Sequence, residues 1–443
     1  MTSETVNAAI VGISGYGHSY LDVLLDDAAA GARGVRLVAA VDPAPDRSKR
    51  LPELRHRGIP VFRSLRLMLD ANTGASLVML VTPIHLHAQQ TCLALQHGCA
   101  VLCEKPLAGS LTDAWRMFAC ERKAIGARPG TPGRGDGFRP FVAVGYQWSF
   151  SQAVGELKRD IAGGVFGAPR RLKTIVSFPR GFTYFNRNDW VGRLRTASGE
   201  DVLDSPVNNA TAHYLHNMLY LLGEHRTLSA APASIQAELY RANDIETYDT
   251  AALRCVTRAG VEVLFYTTHA TADRAGPHSL FEFERATVVY DDSGLGQFVA
   301  RFHDGTLKAY GNPSRDRHEK IWQSAEAVRS GAPVACGIAA ALPQTVCVVG
   351  AQRSMPRAAV FPSSIIRKVD LGDDTMLEVR GLYETLTDCY DRGVLPSELG
   401  GVAWAQPGEM IDVSEELSPL AETHAVEAAA IAPVAAVAGT IQT

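Results

Sequence analysis

The sequence lacks several features that mark particular classes of protein. It has no run of about 18 apolar residues, the length that a membrane-spanning helix needs, so we expect no membrane span. Its 43 basic and 47 acidic side chains leave a net charge of −4, which gives no reason to expect nucleic acid or an anionic membrane as partner. The first residues show no basic stretch followed by an apolar one, so no secretory signal is visible.

Cysteine is present but is not arranged as a metal or redox motif. The eight cysteines are scattered, and none forms a Cys-x-x-Cys pair. This spacing argues against a zinc ribbon and favours reduced thiols in a cytoplasm.

The composition is that of a globular protein of two or three domains, with 443 residues, 46% of them hydrophobic and 20% charged. In the first third of the chain, short apolar runs alternate with helical patterns. The runs predict strands at residues 8–11, 35–41, 76–81 and 100–103. Alternation of this kind predicts a parallel sheet with helices on both faces, and such sheets bind ligands at the carboxyl ends of their strands.

The pattern changes after residue 146. Successive short strands rich in β-branched and aromatic residues predict a mostly antiparallel sheet. We therefore divide the chain into an N-terminal domain (1–146), a second α/β domain (147–355), an extension packed on the core (356–412) and a tail expected to be disordered (413–443). The glycine- and proline-rich segment 126–137 predicts a mobile surface loop.

A glycine-rich turn, Gly12-Ile13-Ser14-Gly15-Tyr16-Gly17, joins the first strand to a helix. In this context backbone N–H groups at the start of the helix can face a pyrophosphate, which predicts a dinucleotide site. An ordinary tight turn is the alternative interpretation. Ser14 stands where the middle glycine of the usual pattern would approach the phosphate most closely. The predicted contacts are Gly12, Ser14, Gly15, Tyr16 and Gly17.

Asp42 ends the second predicted strand, 25 residues after Gly17. A carboxylate at this position can accept hydrogen bonds from ribose hydroxyls and repels a 2′-phosphate, which favours NAD without excluding NADP. Arg47 lies near enough in sequence to complicate that choice. Alternatively, Asp42 caps the turn before Pro43.

Two further groups of residues could transfer protons. Lys105, in Glu104-Lys105-Pro106, follows a buried strand, where an apolar surrounding would weaken its preference for the charged form. In a helix, Asn209, His213 and His216 would share one face. A surface ion pair for Lys105 and a structural buried His213 are the competing interpretations. No third ligand accompanies the histidine pair, so no metal site is predicted.

With these motifs in order, the chain resembles the Gfo/Idh/MocA family of nicotinamide-dependent oxidoreductases. The resemblance rests on five segments and covers roughly residues 7 to 350. The segments are 11–17 with 41–42, 82–87, 101–107, 144–147 and 203–223. It implies a Rossmann domain followed by an α/β domain whose large, mostly antiparallel sheet often forms an oligomer interface, so we expect a homo-oligomer.

The resemblance also implies the chemistry. Lys105 and His213 would lie beside the nicotinamide and the reacting carbinol of a sugar, sugar derivative or cyclitol, with His213 taking the hydroxyl proton and Lys105 stabilising the alkoxide. Asn209 stands where many members carry aspartate, and it can orient a hydroxyl but cannot take its proton. Further cofactor contacts are expected from Thr82, Pro83, His87, Glu104 and Lys105. Substrate contacts are expected from Lys105, Tyr146, Gln147, Trp148, Asn186, Trp190, Asn209, His213 and His216.

Two other functions are compatible with the same residues. One is glycoside cleavage by transient sugar oxidation with a retained NAD. The other is a nicotinamide-binding regulator without catalysis, against which the presence of both Lys105 and His213 argues.

Overall fold

The computed structural model describes residues 5–126, 138–291, 294, 296–315 and 317–420. Almost all of the loop predicted at 126–137 lies outside these ranges. Within them, no helix is both long enough and apolar enough to cross a membrane.

The N-terminal part forms a six-stranded parallel sheet flanked by helices. Its strands are β1 (Val6–Val11), β2 (Val35–Val41), β3 (Val61–Phe62), β4 (Leu77–Leu80), β5 (Ala100–Cys103) and β6 (Val142–Val144). Its helices are α1 (Gly17–Leu24), α2 (Asp27–Ala32), α3 (Leu51–His56), α4 (Leu65–Asp70), α5 (His87–Gln96) and α6 (Leu111–Gly126). The spatial order β3-β2-β1-β4-β5-β6 places the carboxyl ends of β1, β4 and β5 side by side. Fully apolar strands such as β4 and β5 are buried on both faces, as a covered parallel sheet requires.

A larger sheet follows. Its strands are β7 (Pro169–Ser177), β8 (Pro232–Arg241), β9 (Thr250–Thr257), β10 (Glu262–Thr268), β11 (Ala275–Phe283), β12 (Ala286–Asp291), β13 (Phe298–Phe302), β14 (Leu307–Gly311) and β15 (Ala359–Val360). The order is β14-β13-β12-β11-β7-β10-β9-β8-β15, and most neighbours are antiparallel. Two pairs, β7 with β10 and β8 with β15, are parallel, so the sheet is mixed. Its helices are α7 (Gln152–Ala162), α8 (Phe182–Phe185), α9 (Ala212–Leu221), α10 (Glu319–Ser330) and α11 (Ile338–Ser354).

The segment after α11 covers the outward face of half of this sheet. It contains a hairpin, β16 (Ile366–Asp370) with β17 (Thr375–Val379), then α12 (Leu382–Arg392) and β18 (Ile411–Asp412), which pairs with β8. Outward-facing side chains of the sheet bond to it. Lys173 donates to the Tyr390 carbonyl at 2.7 Å, and the Tyr266 hydroxyl donates to the Val394 carbonyl at 2.9 Å. The extension is therefore an integral layer over β7, β8, β9 and β10.

Two expectations need correction. The tail was expected to begin at residue 413, but Val413, Leu417 and Leu420 are buried in the core. Residues 421–443 lie outside the described residues. The cysteines were predicted to be reduced, but Cys92 and Cys120 form a disulfide between α5 and α6. Two cysteines 28 residues apart are brought together by helix packing, which their sequence spacing does not show. The other six are free thiols.

Candidate active site

The turn between β1 and α1 is closed by glycines that leave no space for a side chain. Gly12 has a φ of +89°, and a Cβ there would lie 2.2 Å from the Val81 carbonyl oxygen, just after β4. A Cβ on Gly17 would lie 2.2 Å from the Gly12 carbonyl oxygen. A larger side chain at either position would push the loop away from the strand ends. The glycines thus keep this backbone at the edge of the sheet.

Ser14, in the same turn, carries a polar atom in need of a partner. Its Oγ is enclosed and has no hydrogen-bond partner within the described residues. An enclosed hydroxyl normally has a partner, and a phosphate oxygen would supply one here. Gly15 and Tyr16 are exposed in this turn. The turn therefore fits the pyrophosphate of a dinucleotide, with Ser14 adding a hydroxyl where the usual pattern has glycine.

Asp42 is buried at the end of β2 and fastens the turn. Its Oδ2 accepts a hydrogen bond from the N–H of Ile13 at 3.1 Å, and its Oδ1 accepts one from the N–H of Ala44 at 2.8 Å. Asp42 therefore caps the turn before Pro43, which was the alternative interpretation of this residue. A carboxylate has about four acceptor positions, so these two bonds leave capacity for ribose hydroxyls.

His87 is buried behind two loops rather than open to the crevice. Its Nδ1 lies 2.9 Å from the Pro106 carbonyl oxygen and its Nε2 lies 2.9 Å from the Thr82 carbonyl oxygen. Burial lowers the pKa of this histidine. The ring therefore braces the loop after β4, which carries Pro83, against the loop that carries Lys105. His87 was expected to contact the cofactor, but both of its ring nitrogens face main-chain oxygens of the protein instead. Thr82, which donates through its hydroxyl to Gln90 at 2.7 Å, is half-buried at the strand end.

Glu104 also points inward. It accepts a hydrogen bond from the Tyr20 hydroxyl at 2.6 Å and forms an ion pair with Lys320 of α10, whose side chain is fully buried. Burial alone would raise the pKa of Glu104, but the adjacent Lys320 charge and the hydrogen bonds bring it below its usual value. Glu104 thus ties β5 to α1 and α10 and is not brought to an open cofactor surface.

Lys105, by contrast, turns toward the second domain and meets Asn209. Its Nζ donates to the main-chain oxygen of Asn209 at 2.7 Å and to the side-chain Oδ1 at 2.9 Å. Burial disfavours the charged ammonium and lowers the pKa of Lys105 to about 8. Asn209 lies in a single π-helical turn, Pro206–Ala210, just before α9. Such turns are frequent at functional sites.

Asp204 extends this chain of hydrogen bonds and was not among the predicted site residues. Its Oδ1 accepts from Asn209 Nδ2 at 2.8 Å, and its Oδ2 accepts from the N–H of Gly192 at 2.8 Å. Burial raises the pKa of Asp204. Asp204 is the only acidic residue in the segment from Leu203 to Gly223, which also carries Asn209 and His213. This single carboxylate was the feature of the sequence from which Asp204 could have been predicted as a site residue.

His213 lies in the first turn of α9, close enough to Lys105 for the lysine charge to affect it. Burial and that charge hold the pKa of His213 well below its usual value, so the ring is neutral at pH 7. Its Nδ1 is enclosed without a partner in the described chain, and its ring meets the edge of Tyr146 at 5.8 Å. A neutral imidazole beside a buried ammonium can accept a proton from a bound hydroxyl.

Four other predicted substrate contacts have different surroundings. His216 is buried, stacks on Tyr146 at 3.9 Å, and its Nε2 lies 2.9 Å from Ser149 Oγ. Its pKa falls to about 3 through burial. Trp148 lies in an aromatic cluster, and its indole N–H donates to Ser314 at 3.0 Å. Tyr146 donates to Gln344 at 2.9 Å. Of these side chains, Tyr146 contacts His213, whereas Trp148 and His216 have their partners within the core. The structure therefore does not bring His216 to the site. Gln147 is half-buried.

The polar loop after β7 carries the last two predicted contacts. Asn186 is exposed and donates to the Phe182 carbonyl at 2.9 Å, capping the short helix α8. Trp190 is half-buried. Between them, Arg187 stands 3.7 Å from the ring centre of Tyr184, and its charge affects both Lys105 and Asp204. The loop therefore borders the site.

The fold and this arrangement define an oxidoreductase-type Rossmann protein with a second α/β domain. Residues 6–126 match the family model described as "Oxidoreductase family, NAD-binding Rossmann fold". The N-terminal domain thus matches the family model of the Gfo/Idh/MocA oxidoreductases, in agreement with the resemblance seen in the sequence.

Relatives with named activities are distant. Inositol 2-dehydrogenase 1 of Saccharopolyspora erythraea is 24% identical over 237 residues, 52% of this chain and 60% of the relative. The matched region thus spans less than two thirds of that protein. D-Apiose dehydrogenase of Paraburkholderia graminis is 25% identical over 70% of this chain and 74% of its own. The WlbA dehydrogenase of Chromobacterium violaceum, solved with NADH and UDP-GlcNAcA, shares the fold with a TM-score of 0.62 at 20% identity, over 79% of this chain and 94% of its own.

Proposed function

We propose that this protein is a nicotinamide-dependent oxidoreductase that transfers a hydride between NAD and a secondary alcohol of a sugar, sugar derivative or cyclitol. The observation that carries the proposal is the hydrogen-bonded chain Asp204–Asn209–Lys105 beside His213, which lies at the carboxyl ends of the parallel strands. Residues 1–146 would bind the cofactor and residues 147–355 the substrate. The named relatives support this class, since they are inositol and apiose dehydrogenases.

The cofactor residues follow from the fit of the glycine turn. Gly12, Ser14, Gly15 and Gly17 would face the pyrophosphate, and Asp42 the adenosine ribose. When bound, NAD supplies the hydride acceptor. The protein holds the alcohol and moves its proton.

Proton movement falls to His213 and Lys105. When the carbinol hydrogen leaves its carbon as hydride, with both electrons of the C–H bond, His213 would accept the hydroxyl proton and the Lys105 ammonium would stabilise the oxygen. Lys105 is oriented for this because two oxygens of Asn209 fix its Nζ, and Asn209 is fixed in turn by Asp204. Positioning of this kind adds to the factor of roughly 10² to 10⁴ that general acid–base help contributes.

The test is NAD reduction measured against a panel of polyols that includes myo-inositol and apiose. Lys105→Met and His213→Asn should each lower kcat/KM by roughly 10² to 10⁴. Lys368→Met and His56→Asn, at exposed positions, are the matched controls and should leave it unchanged. Full activity in both site variants would overturn the proposal.

Two finer expectations stand as part of the proposal. We retain the cytoplasm as the compartment, although the Cys92–Cys120 disulfide, a feature rare in cytoplasmic proteins, removes reduced cysteines as a reason for it. We also retain a homo-oligomer formed through the large sheet. Because the extension covers β7 to β10, contact would use the outward face of β11 to β13, which carries the partly exposed row Leu280, Val289 and Val299. Light scattering after size exclusion would measure the assembly, and Val289→Lys should dissociate it.

A further inference from the structure

Two arginines stack on one tyrosine at the border of the site. The guanidinium carbon of Arg187 lies 3.7 Å from the centre of the Tyr184 ring, and that of Arg180 lies 4.7 Å from it. The ring of His269 meets the same tyrosine at 5.7 Å, and the Arg180 main-chain N–H donates to the His269 carbonyl at 3.2 Å. The two cations are therefore held in one place by aromatic contacts.

Neither cation has a carboxylate partner. No ion pair within 4.0 Å joins Arg180, which is half-buried, or Arg187, which is exposed, to an acidic side chain in the described part of the chain. Other half-buried arginines, such as Arg171 and Arg254, do have one. The Nε of Arg180 is enclosed and has no hydrogen-bond acceptor. Leaving an enclosed N–H of a charged group without an acceptor costs free energy, so a ligand that offers an acceptor to Arg180 Nε would be favoured there.

Of the two arginines, Arg187 adjoins the reacting groups. Arg187 is near enough to Lys105 to lower its pKa and near enough to Asp204 to oppose the rise that burial causes there. Both arginines add to the burial that brings the pKa of His269 to about 3. Asp204 is the nearby acid, and its two oxygens already bond to Gly192 and Asn209. Arg187 and Lys105 thus lie near a carboxylate whose two oxygens are already engaged.

The loop that carries the pair is fixed by the extension. Asp374, in the turn of the β16–β17 hairpin, accepts a hydrogen bond from the N–H of Thr183 at 3.0 Å. Its carboxylate fills the space beside Gly181, where a Cβ would lie 2.0 Å from an Asp374 oxygen. A backbone bridge between Gly181 and Met376 completes the contact. The extension therefore fixes the position of the loop that carries Tyr184 and Arg187.

We propose that the substrate carries an anionic group, a carboxylate or a phosphate, bound by Arg180 and Arg187 while its carbinol lies at Lys105 and His213. The inference rests on the proposed function and narrows it to acidic sugars. Guanidinium groups suit this role because their planar N–H pairs match the oxygens of a carboxylate or phosphate.

The experiment compares matched anionic and neutral probes. NAD reduction and calorimetric binding are measured with glucuronate and glucose 6-phosphate, each against glucose, and with tartrate against threitol. We expect at least one anionic probe to exceed its neutral counterpart about tenfold or more, and the two acid types separate carboxylate from phosphate recognition. Arg187→Gln and Arg180→Gln should reduce that ratio roughly 10- to 100-fold, the range that hydrogen bonds to charged groups supply. Arg187→Lys should restore part of it, and Arg195→Gln, an exposed pair to Asp201, is the control.

The outcomes separate the two proposals. If neutral alcohols are oxidised and no anionic probe is preferred, the proposed function stands and this inference falls. If no probe reduces NAD, the proposed function is in question, and binding decides the inference. Anionic probes that bind no better than their neutral counterparts, or equally well to Arg187→Gln, would overturn it.

Discussion

The Lys105 ammonium is bonded to two oxygens of the same residue, the main-chain oxygen of Asn209 at 2.7 Å and its Oδ1 at 2.9 Å. Two neutral acceptors fix the position of the cation without neutralising its charge. Because these acceptors carry no negative charge, the effect of burial dominates and lowers the pKa of Lys105 to about 8. A carboxylate in place of the amide would act in the opposite direction.

Replacing Asn209 by aspartate tests this relationship. An adjacent negative charge favours the ammonium, so Asn209→Asp should raise the pKa of Lys105 by about one unit or more. The measurement is the pH at which the alkaline limb of kcat/KM begins, which should move upward. Asn72→Asp, at an exposed turn, is the control and should leave the limb in place. An unmoved limb in Asn209→Asp would show that Lys105 does not govern it.

The pH dependence of the native protein distinguishes the roles of Lys105 and His213. If the ammonium stabilises the developing alkoxide, kcat/KM for alcohol oxidation should be level near neutral pH and should fall as pH rises through about 8, where Lys105 loses its proton. His213 has a pKa well below its usual value and stays neutral throughout this range. Lys105→Arg, which keeps the charge, should remove the alkaline fall. A rise through pH 8 would instead make Lys105 the base.

The buried pair Glu104–Lys320 should matter for stability. Removing one partner leaves the other charged group buried and unpaired, which costs about 3–5 kcal/mol. Glu104→Gln and Lys320→Met should each lower the free energy of unfolding in urea by about that much. The double variant should lose clearly less than the sum of the two. Additive losses would show that the pair is not coupled.

The Cys92–Cys120 disulfide should also stabilise the N-terminal domain. A loop of 28 residues closed by a disulfide corresponds to about 3–4 kcal/mol in the chain-entropy model. Cys120→Ser, or mild reduction, should therefore lower Tm. Cys99→Ser replaces a buried free thiol and is the control for the loss of sulfur alone. If Cys120→Ser has no more effect than Cys99→Ser, the disulfide does not form in solution.

Local patterns predicted the elements that depend on local chemistry. Apolar runs at 35–41 and 100–103 became β2 and β5. All four residues of β5 are apolar and buried, and the exposed Arg36 is the only charged residue of β2. Glycine requirements at Gly12 and Gly17 likewise follow from a strand, turn and helix read in order. Lys105, Asn209 and His213 were correctly expected to lie near one another.

Features that depend on long-range packing were not predictable in this way. His87 and Glu104 lie in the sequence motifs that indicated the cofactor site, but their side chains point into the core. There they bond to residues from other segments, as Glu104 does to Lys320. His216 shares a predicted helix face with His213, yet its stack on Tyr146 and its contact with Ser149 place it inside. The covering of Lys173 and Tyr266 by the extension depends on chain that lies more than a hundred residues away.

The most direct test of the central claim is a single-turnover experiment. Purified protein is mixed with NAD and the probe that it binds best, and the fluorescence of reduced nicotinamide is followed, alongside analysis of any nicotinamide released on denaturation. We predict that the fluorescence of reduced nicotinamide rises with the native protein, that this rise depends on added or released NAD, and that it is largely lost with Lys105→Met. A protein that binds neither nicotinamide, or a Lys105→Met variant that reduces NAD as fast as the native protein, would contradict the account.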